Sequence, residues 1–361
     1  MMTDADFTDL RTALREFLRK EVVPVEAQID ADDAIPEEYG GLGLSVPQQV
    51  AVAVELGYTS PAFRSLFGTN NGIAGQVIVA AGTEEQKSSI LPRLASGQLV
   101  ASFALTEPDA GSDPSRLVTS AVRDGDAWVL NGLKRFITNA PMADMFMVFA
   151  RTDPDAPAGK GIGVFVVPAD SEGLSVGARD HKMGQGGAWT ADVSLSDVRV
   201  PGGALVGTSP SAGYATAMRS LAHGRLTIAG VCVGVAARLI EESTQYARQR
   251  HQGGRPIGDY QLVQAMLADS YTEYAAARAL VTDAAAAYEA GTDRRLGPSA
   301  AKYFASEAVG RIADRAVQIH GGSGYIRGVP AERLYRDVRL FRIYEGTSQI
   351  QQLVIARELL R

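Results

Sequence analysis

Hydrophobic periodicity changes twice along this 361-residue chain, from a helical period to an alternating one and back. Phe7, Leu10, Leu14, Phe17 and Leu18 share one face of a helix, because side chains three and four apart overlie one another. Further helices are predicted over 48–58, 70–82 and 84–96, the last with Thr83 as N-cap and Gln86 closing a capping box. The segment Glu38–Leu44 between them is turn-rich. Beyond Leu99 the pattern becomes strand-like, over Val100–Thr106, 117–123 and 127–130 around the turn Asp124-Gly125, and again over 146–150, 161–167 and 191–200. After Pro201 the helical period returns. Val231, Cys232, Val235, Ala236, Leu239 and Ile240 mark one apolar face. Ala301, Phe304, Ala305, Ala308, Val309, Ile312, Ala316 and Ile319 mark another, with helices also over 262–290 and 348–361. The chain therefore reads as an α+β protein with an N-terminal helical domain (1–100), a central β-domain (101–205) and a C-terminal helical bundle (206–361).

That order excludes an alternating βαβ sheet, and no G-x-G-x-x-G run supplies the usual dinucleotide-binding turn. A net charge of −6 argues against nucleic acid as a partner. The single cysteine, Cys232, permits no internal disulfide and reads as inert core on its apolar face. Four scattered histidines speak against a metal centre. No run of about 18 apolar residues is found, so no membrane span is expected. The acidic N-terminus resembles neither a signal nor a transit peptide, and a cytoplasmic location is the default.

Three polar segments interrupt the apolar patterns. In Tyr344-Glu345-Gly346-Thr347-Ser348-Gln349-Ile350-Gln351, Ser348 and Gln351 have capping-box spacing, so a helix is expected to begin there. Glu345 on the preceding turn is either an acidic residue favoured near a helix N-terminus or a general base on a short rigid turn. The run Phe103–Asp113 is either a polar loop or a strand end whose amides and hydroxyls face a polar ring or phosphate. Asn131–Ala140 carries the same ambiguity.

Taken together and in order, the segments FALTEPDAGSD, NGLKRFITNAPMAD, LAHGR, PIGDYQLVQAMLAD, QIHGGSGYIRG and RIYEGTSQIQQLVIAR resemble the acyl-CoA dehydrogenase family, from about residue 5 to the end. The stretch NAPMADMFMVFAR is locally similar to glutaryl-CoA dehydrogenase. The resemblance implies an N-terminal helical, central β and C-terminal four-helix architecture, one FAD per chain and a homotetramer (or dimer). It implies oxidation of an acyl-CoA to the trans-2-enoyl-CoA, with electrons leaving to an electron-transfer flavoprotein. Glu345 matches the base that takes the α-proton, flavin N5 being the acceptor of the β-hydride. Gly224 stands where some relatives carry the base instead. The thioester carbonyl is expected against the Glu345 amide and a flavin ribityl hydroxyl.

By the same resemblance, Phe103, Leu105, Thr106, Phe136 and Thr138 match the flavin-ring segments, and Ser112 a residue near the flavin phosphates and substrate. Thr347 and Gln349 match the adenosine side. Arg250, Gln261, Gln318, Gly321 and Gly322 match residues that reach the FAD of a neighbouring subunit. Arg225 and Gly346 match the substrate side.

Several positions depart from the family pattern. Gly253 replaces an aromatic residue expected near the neighbour's FAD, so looser FAD retention is expected. Position 186 is Gly where Arg is frequent. A helix that precedes the P-E-E-Y-G-G turn in relatives is expected to be missing. Arg64 sits where glutaryl-CoA dehydrogenase holds a substrate carboxylate. Its acidic and Ser partners there are Gly57 and Gly68 here, so Arg64 reads mainly as a structural or surface residue. Arg333, Arg336, Arg339 and Arg342 read as a salt-bridged helix surface with Glu332 and Asp337. His320 reads as a hydrogen-bonded structural histidine, and His181, His223 and His251 as plain surface or helix residues. A dehydrogenase of carrier-protein-tethered acyl groups and a non-catalytic subunit of a hetero-oligomer are the alternatives.

Overall fold

A computed structural model describes residues 4–17 and 35–361. Its elements run in the order helices, strands, helices. The first group is α1 (Asp4–Phe17), α2 (Val46–Gly57), α3 (Pro61–Thr69), α4 (Gln76–Ala81) and α5 (Glu84–Ala95). The predicted helix 70–82 is corrected. Helical structure begins at Pro61 and passes through a π-helical stretch, Asn70–Gly75, before resuming as α4. The Asn70 and Asn71 side chains bond each other at 2.8 Å inside this stretch, and Asn70 also accepts the Ala101 amide at 2.6 Å. The capping box at Thr83 and Gln86 is present, with both reciprocal bonds. The expected loss of an N-terminal helix concerns residues 18–34, which lie outside the described residues.

The strands are β1 (Ala101–Ala104), β2 (Ser120–Asp124), β3 (Ala127–Thr138), β4 (Met145–Arg151), β5 (Ile162–Pro168), β6 (Leu174–Val176) and β7 (Thr190–Pro201). They form one sheet in the order β1-β4-β2-β3-β7-β6, with β5 also on β4. Asp124 pairs with Ala127, so the hairpin turns on Gly125-Asp126, one residue later than Asp124-Gly125. Alternation in β4 explains why the strand is buried on both faces. Met145, Met147 and Phe149 pack on the helical side with Ile78, Leu91, Leu94 and Ala217. Phe146, Val148 and Ala150 pack inside the β-domain with Trp128, Phe165 and Val193.

The last group is α6 (Gly213–Gln249), a small hairpin of β8 (His251–Gln252) and β9 (Arg255–Pro256), then α7 (Gln261–Glu289), α8 (Leu296–His320), α9 (Pro330–Val338) and α10 (Ser348–Leu359). The core joins α6, α7, α8 and α9 to α2, around Leu226, Val231, Val235, Val281, Val309, Ile312 and Leu334. Among the described residues, α6 alone is long and apolar enough to cross a membrane by length and composition. Some 83% of its apolar window is buried inside the molecule, which marks it as a core helix. Cys232 is buried in that core, and burial pushes its thiol up.

Candidate active site

α10 begins one residue later than its cap, and the cap differs from the sequence expectation. Thr347 has extended backbone angles and its hydroxyl accepts the Ile350 amide at 3.2 Å, so Thr347 is the N-cap. Ser348 lies inside the helix and its Oγ donates to Glu307 at 2.6 Å. Gln351 turns back instead of closing a box, donating to the Glu345 carbonyl at 3.1 Å and the Gly346 carbonyl at 3.0 Å.

The turn before α10 is left-handed at two successive residues, Glu345 (φ 53°) and Gly346 (φ 88°). Lys302 of α8, fully buried, donates from Nζ to the Gly346 carbonyl at 2.7 Å. Both carbonyls of the turn are thus bound.

The Glu345 side chain is 7% exposed. Its Oε1 accepts from Arg64 Nη1 at 3.1 Å, and its Oε2 has no hydrogen-bond partner among the described residues. Oε2 points at the face of α6 where Gly224 lies, and a Cβ on Gly224 would overlap it. Arg64 is 3% exposed, and its Nη2 donates to Thr227 Oγ1 at 2.5 Å. It is therefore buried beside Glu345, so of the two readings, structural or surface, the surface one is excluded. Its room comes from Gly68, one turn along α3, where a Cβ would lie 2.5 Å from Arg64 Nε. That pairing of Arg64 with a glycine four residues on is the sequence signal that points to a buried guanidinium.

Two further polar atoms near Glu345, Arg64 Nε and Arg225 Nε, have no partner among the described residues. Ser220 Oγ and His223 Nδ1, also on α6, are buried without a partner among the described residues too. Arg225 is held loosely by Ser299 at 3.4 Å. His223 is buried in α6, and desolvation lowers it to about 4. Such buried, unpaired polar atoms are uncommon in a finished core and are frequent where a ligand completes the set.

A second group of residues lies on the β-domain. Phe103 packs on Phe149 at the end of β1, and Leu105 is buried just beyond it. A register shift in β3 between Lys134 and Ile137 throws Phe136 outward, with φ 58° and 59% exposure. The Arg135 amide donates to the Thr106 carbonyl at 2.9 Å, and Ser102 Oγ to the Thr138 carbonyl at 2.8 Å. Thr106, Phe136 and Thr138 therefore come to one region of the sheet. The segment is pinned from below by Lys134, fully buried, which bonds Glu107 at 2.7 Å, Phe149 O at 2.6 Å and Leu105 O at 3.3 Å. An outward aromatic ring beside two threonines fits a planar, polar-rimmed ring such as a flavin. Ser112 is exposed in the loop that follows.

A third group gathers at one end of the helical bundle. Tyr246 of α6 stacks on His320 of α8 at 4.3 Å and reaches Ser323 at 3.4 Å. His320 also contacts the Ala316 carbonyl at 2.7 Å, as a structural histidine would. Arg250, Gln318, Gly321 and Gly322 are exposed there, and Gln261 is exposed at the start of α7. Gln349 is exposed on α10. The arginine series of α9 pairs as expected at Arg336–Glu332 (2.5 Å) and Arg333–Asp337 (3.9 Å), while Arg342 pairs with Glu307 on α8 at 3.2 Å.

Family models match the whole length of this arrangement. They are acyl-CoA dehydrogenase N-terminal domain over residues 4–98, middle domain over 102–198 and C-terminal domain over 211–360. The chain belongs to the acyl-CoA dehydrogenase family. It is 41% identical over 327 residues to the CarC subunit of the caffeyl-CoA reductase-Etf complex of Acetobacterium woodii, covering 91% of this chain and 86% of that one. It is 38% identical over 370 residues to the 3-(aryl)acrylate reductase of Clostridium sporogenes, covering 98% of each. The solved glutaryl-CoA dehydrogenase of Mycobacterium smegmatis superposes with a TM-score of 0.91 at 30% identity, covering 99% of this chain and 95% of that one. The family is FAD-dependent, so the chain is a flavoprotein oxidoreductase by membership.

Proposed function

We propose that the chain binds FAD and oxidises an acyl-CoA thioester to its trans-2-enoyl-CoA, with Glu345 as the base that takes the α-proton. The observation that carries this reading is the state of Glu345. Its carboxylate is nearly buried, one oxygen is held by Arg64, and the other is free beside Gly224. A free carboxylate oxygen on a fixed turn can receive a proton without first breaking a bond. Gln351 binds the carbonyls of Glu345 and Gly346 and Lys302 binds the second, which fixes the turn; the Glu345 amide would then be the donor that stabilises charge on a thioester oxygen. Bound FAD supplies the acceptor for the β-hydride. Phe136, Thr106 and Thr138 would hold its ring, Ser112, Thr347 and Gln349 its outer parts, and Arg250, Gln261, Gln318, Gly321 and Gly322 that of a neighbouring copy in a homotetramer or dimer. Arg225 and Gly346 would contact the substrate. An electron-transfer flavoprotein is the proposed redox partner, as the name of the CarC relative states for its own complex.

The same residues serve the reverse direction, with Glu345 returning the proton to the α-carbon of an enoyl thioester. The reductase names of two relatives favour including it. The test is an anaerobic titration of the purified flavoprotein, followed by flavin absorbance. Saturated acyl-CoAs, including ones with polar or carboxylate tails because of Arg64, should bleach the oxidised flavin. Enoyl- and arylacryloyl-CoAs should restore the reduced flavin if the protein works as a reductase. Glu345→Gln should abolish both responses. Persistence of bleaching in Glu345→Gln, or no response to any thioester with flavin bound, would defeat the reading.

A further inference from the structure

Lys302 is a buried cation that neither proton transfer nor flavin binding uses. It is fully buried on α8, and its Nζ makes one hydrogen bond among the described residues, to the Gly346 carbonyl at 2.7 Å. That carbonyl closes a turn in which a glutamate, not a glycine, takes a left-handed conformation, at φ 53°. A left-handed non-glycine residue persists only where its surroundings over-determine it. Here the determining bonds converge on two carbonyls, from Gln351 to both and from Lys302 to the second.

We propose that Lys302 is a positioning residue for the reaction. Its ammonium clamps the Gly346 carbonyl and so holds the Glu345–Gly346 turn in the one form that presents the Glu345 amide and carboxylate to substrate together. This rests on the functional reading of Glu345 above. The groups that face Lys302 are Cys232 and Arg225 from α6, Glu345 from the turn and Glu307 from its own helix. Burial, the largest influence, pulls Lys302 down to about 8. The clamp is therefore charged at pH 7 and loses its charge as pH rises through that value.

The test compares wild type with Lys302→Gln, which keeps a neutral donor, and Lys302→Met, which keeps none. Flavin content, kcat and KM are measured from pH 6 to 9.5, beside side-chain amine NMR of the wild-type holoprotein. Lys302→Met should retain flavin and hold KM within about twofold, while kcat drops by about 10–100-fold, the usual penalty of misplacing a reacting group. Lys302→Gln should fall between. The wild-type alkaline decline in kcat, centred near 8, should be absent from both variants, and the Lys302 amine should titrate over the same range. A wild-type kcat in Lys302→Met overturns the proposal. So does an equal loss of kcat, KM and flavin in both variants, which is what loss of packing alone would give. Silence of the wild type toward every thioester would instead strike the functional reading.

Discussion

The Glu345 turn depends on what two positions beside it lack. Gly224 leaves the space that Glu345 Oε2 occupies, and Gly68 leaves the space for the Arg64 guanidinium that holds Oε1. Gly224→Ala should push the carboxylate away from its productive position and cut kcat by about 10–100-fold, since small misplacements of a reacting group cost rate steeply. Flavin content, measured by absorbance, should stay unchanged in that variant; full turnover would show that the carboxylate has slack. In the amino-acid sequence Glu345 already stood out by its motif, and Gly224 by the absence of a second base. Arg64 reads from the sequence mainly as a structural or surface residue because its sequence neighbours differ from those of glutaryl-CoA dehydrogenase. Its real partners, Thr227 and Glu345, come from distant parts of the chain, so local sequence could not show them.

Individual elements followed local rules closely where those rules are strong. The capping box of α5 and the apolar strand over 146–150 are legible in the sequence because each rests on neighbours within one element. The cap of α10 slipped by one residue because Thr347 and Ser348 are both good caps, and Glu307 on α8 engages the second. The π-helical stretch Asn70–Gly75 hid α3, since an inserted residue breaks the helical period across the join. The β8–β9 hairpin changes the meaning of Gly253. Gln252 pairs with Arg255, so Gly253 and Gly254 form the two-residue turn, with φ of 60° and 82°. A Cβ on Gly253 would lie 2.6 Å from the Tyr260 hydroxyl, which itself bonds Gln252 O at 2.8 Å. Gly253→Ala should therefore destabilise the protein by about 1–2 kcal/mol, the cost of a left-handed residue with a Cβ. Urea unfolding checks this, and an unchanged midpoint would show that the turn can relax.

At the scale of the whole molecule, Glu345 lies where the N-terminal helices meet the C-terminal bundle, with Arg64 of α3 and Gly224 of α6 beside it, and an acid-sensitive group is buried on the same helix α6. His223 of α6 is buried, and desolvation lowers it to about 4, with the Gly72 backbone opposing and Arg64 assisting. Its native value lies below the unfolded one, so the unfolded chain binds the extra proton first as pH falls. The stability it permits is complete above about 6.5 and is lost progressively down to about 4, a total of about 3 kcal/mol. Denaturant unfolding at pH 7 and 4.5 should show this loss in wild type and less of it in His223→Gln; equal losses would place the sensitivity elsewhere. The sequence by itself determined the helix–strand–helix order, the family and the candidate base, because periodicity and contiguous motifs are local. The packed fold alone shows that Arg64 of α3 pairs with Glu345 and that Lys302 of α8 and Gln351 of α10 bind the carbonyls of its turn. Those contacts join residues hundreds of positions apart in some cases, and a buried charge reveals its partner only when the chain has packed around both.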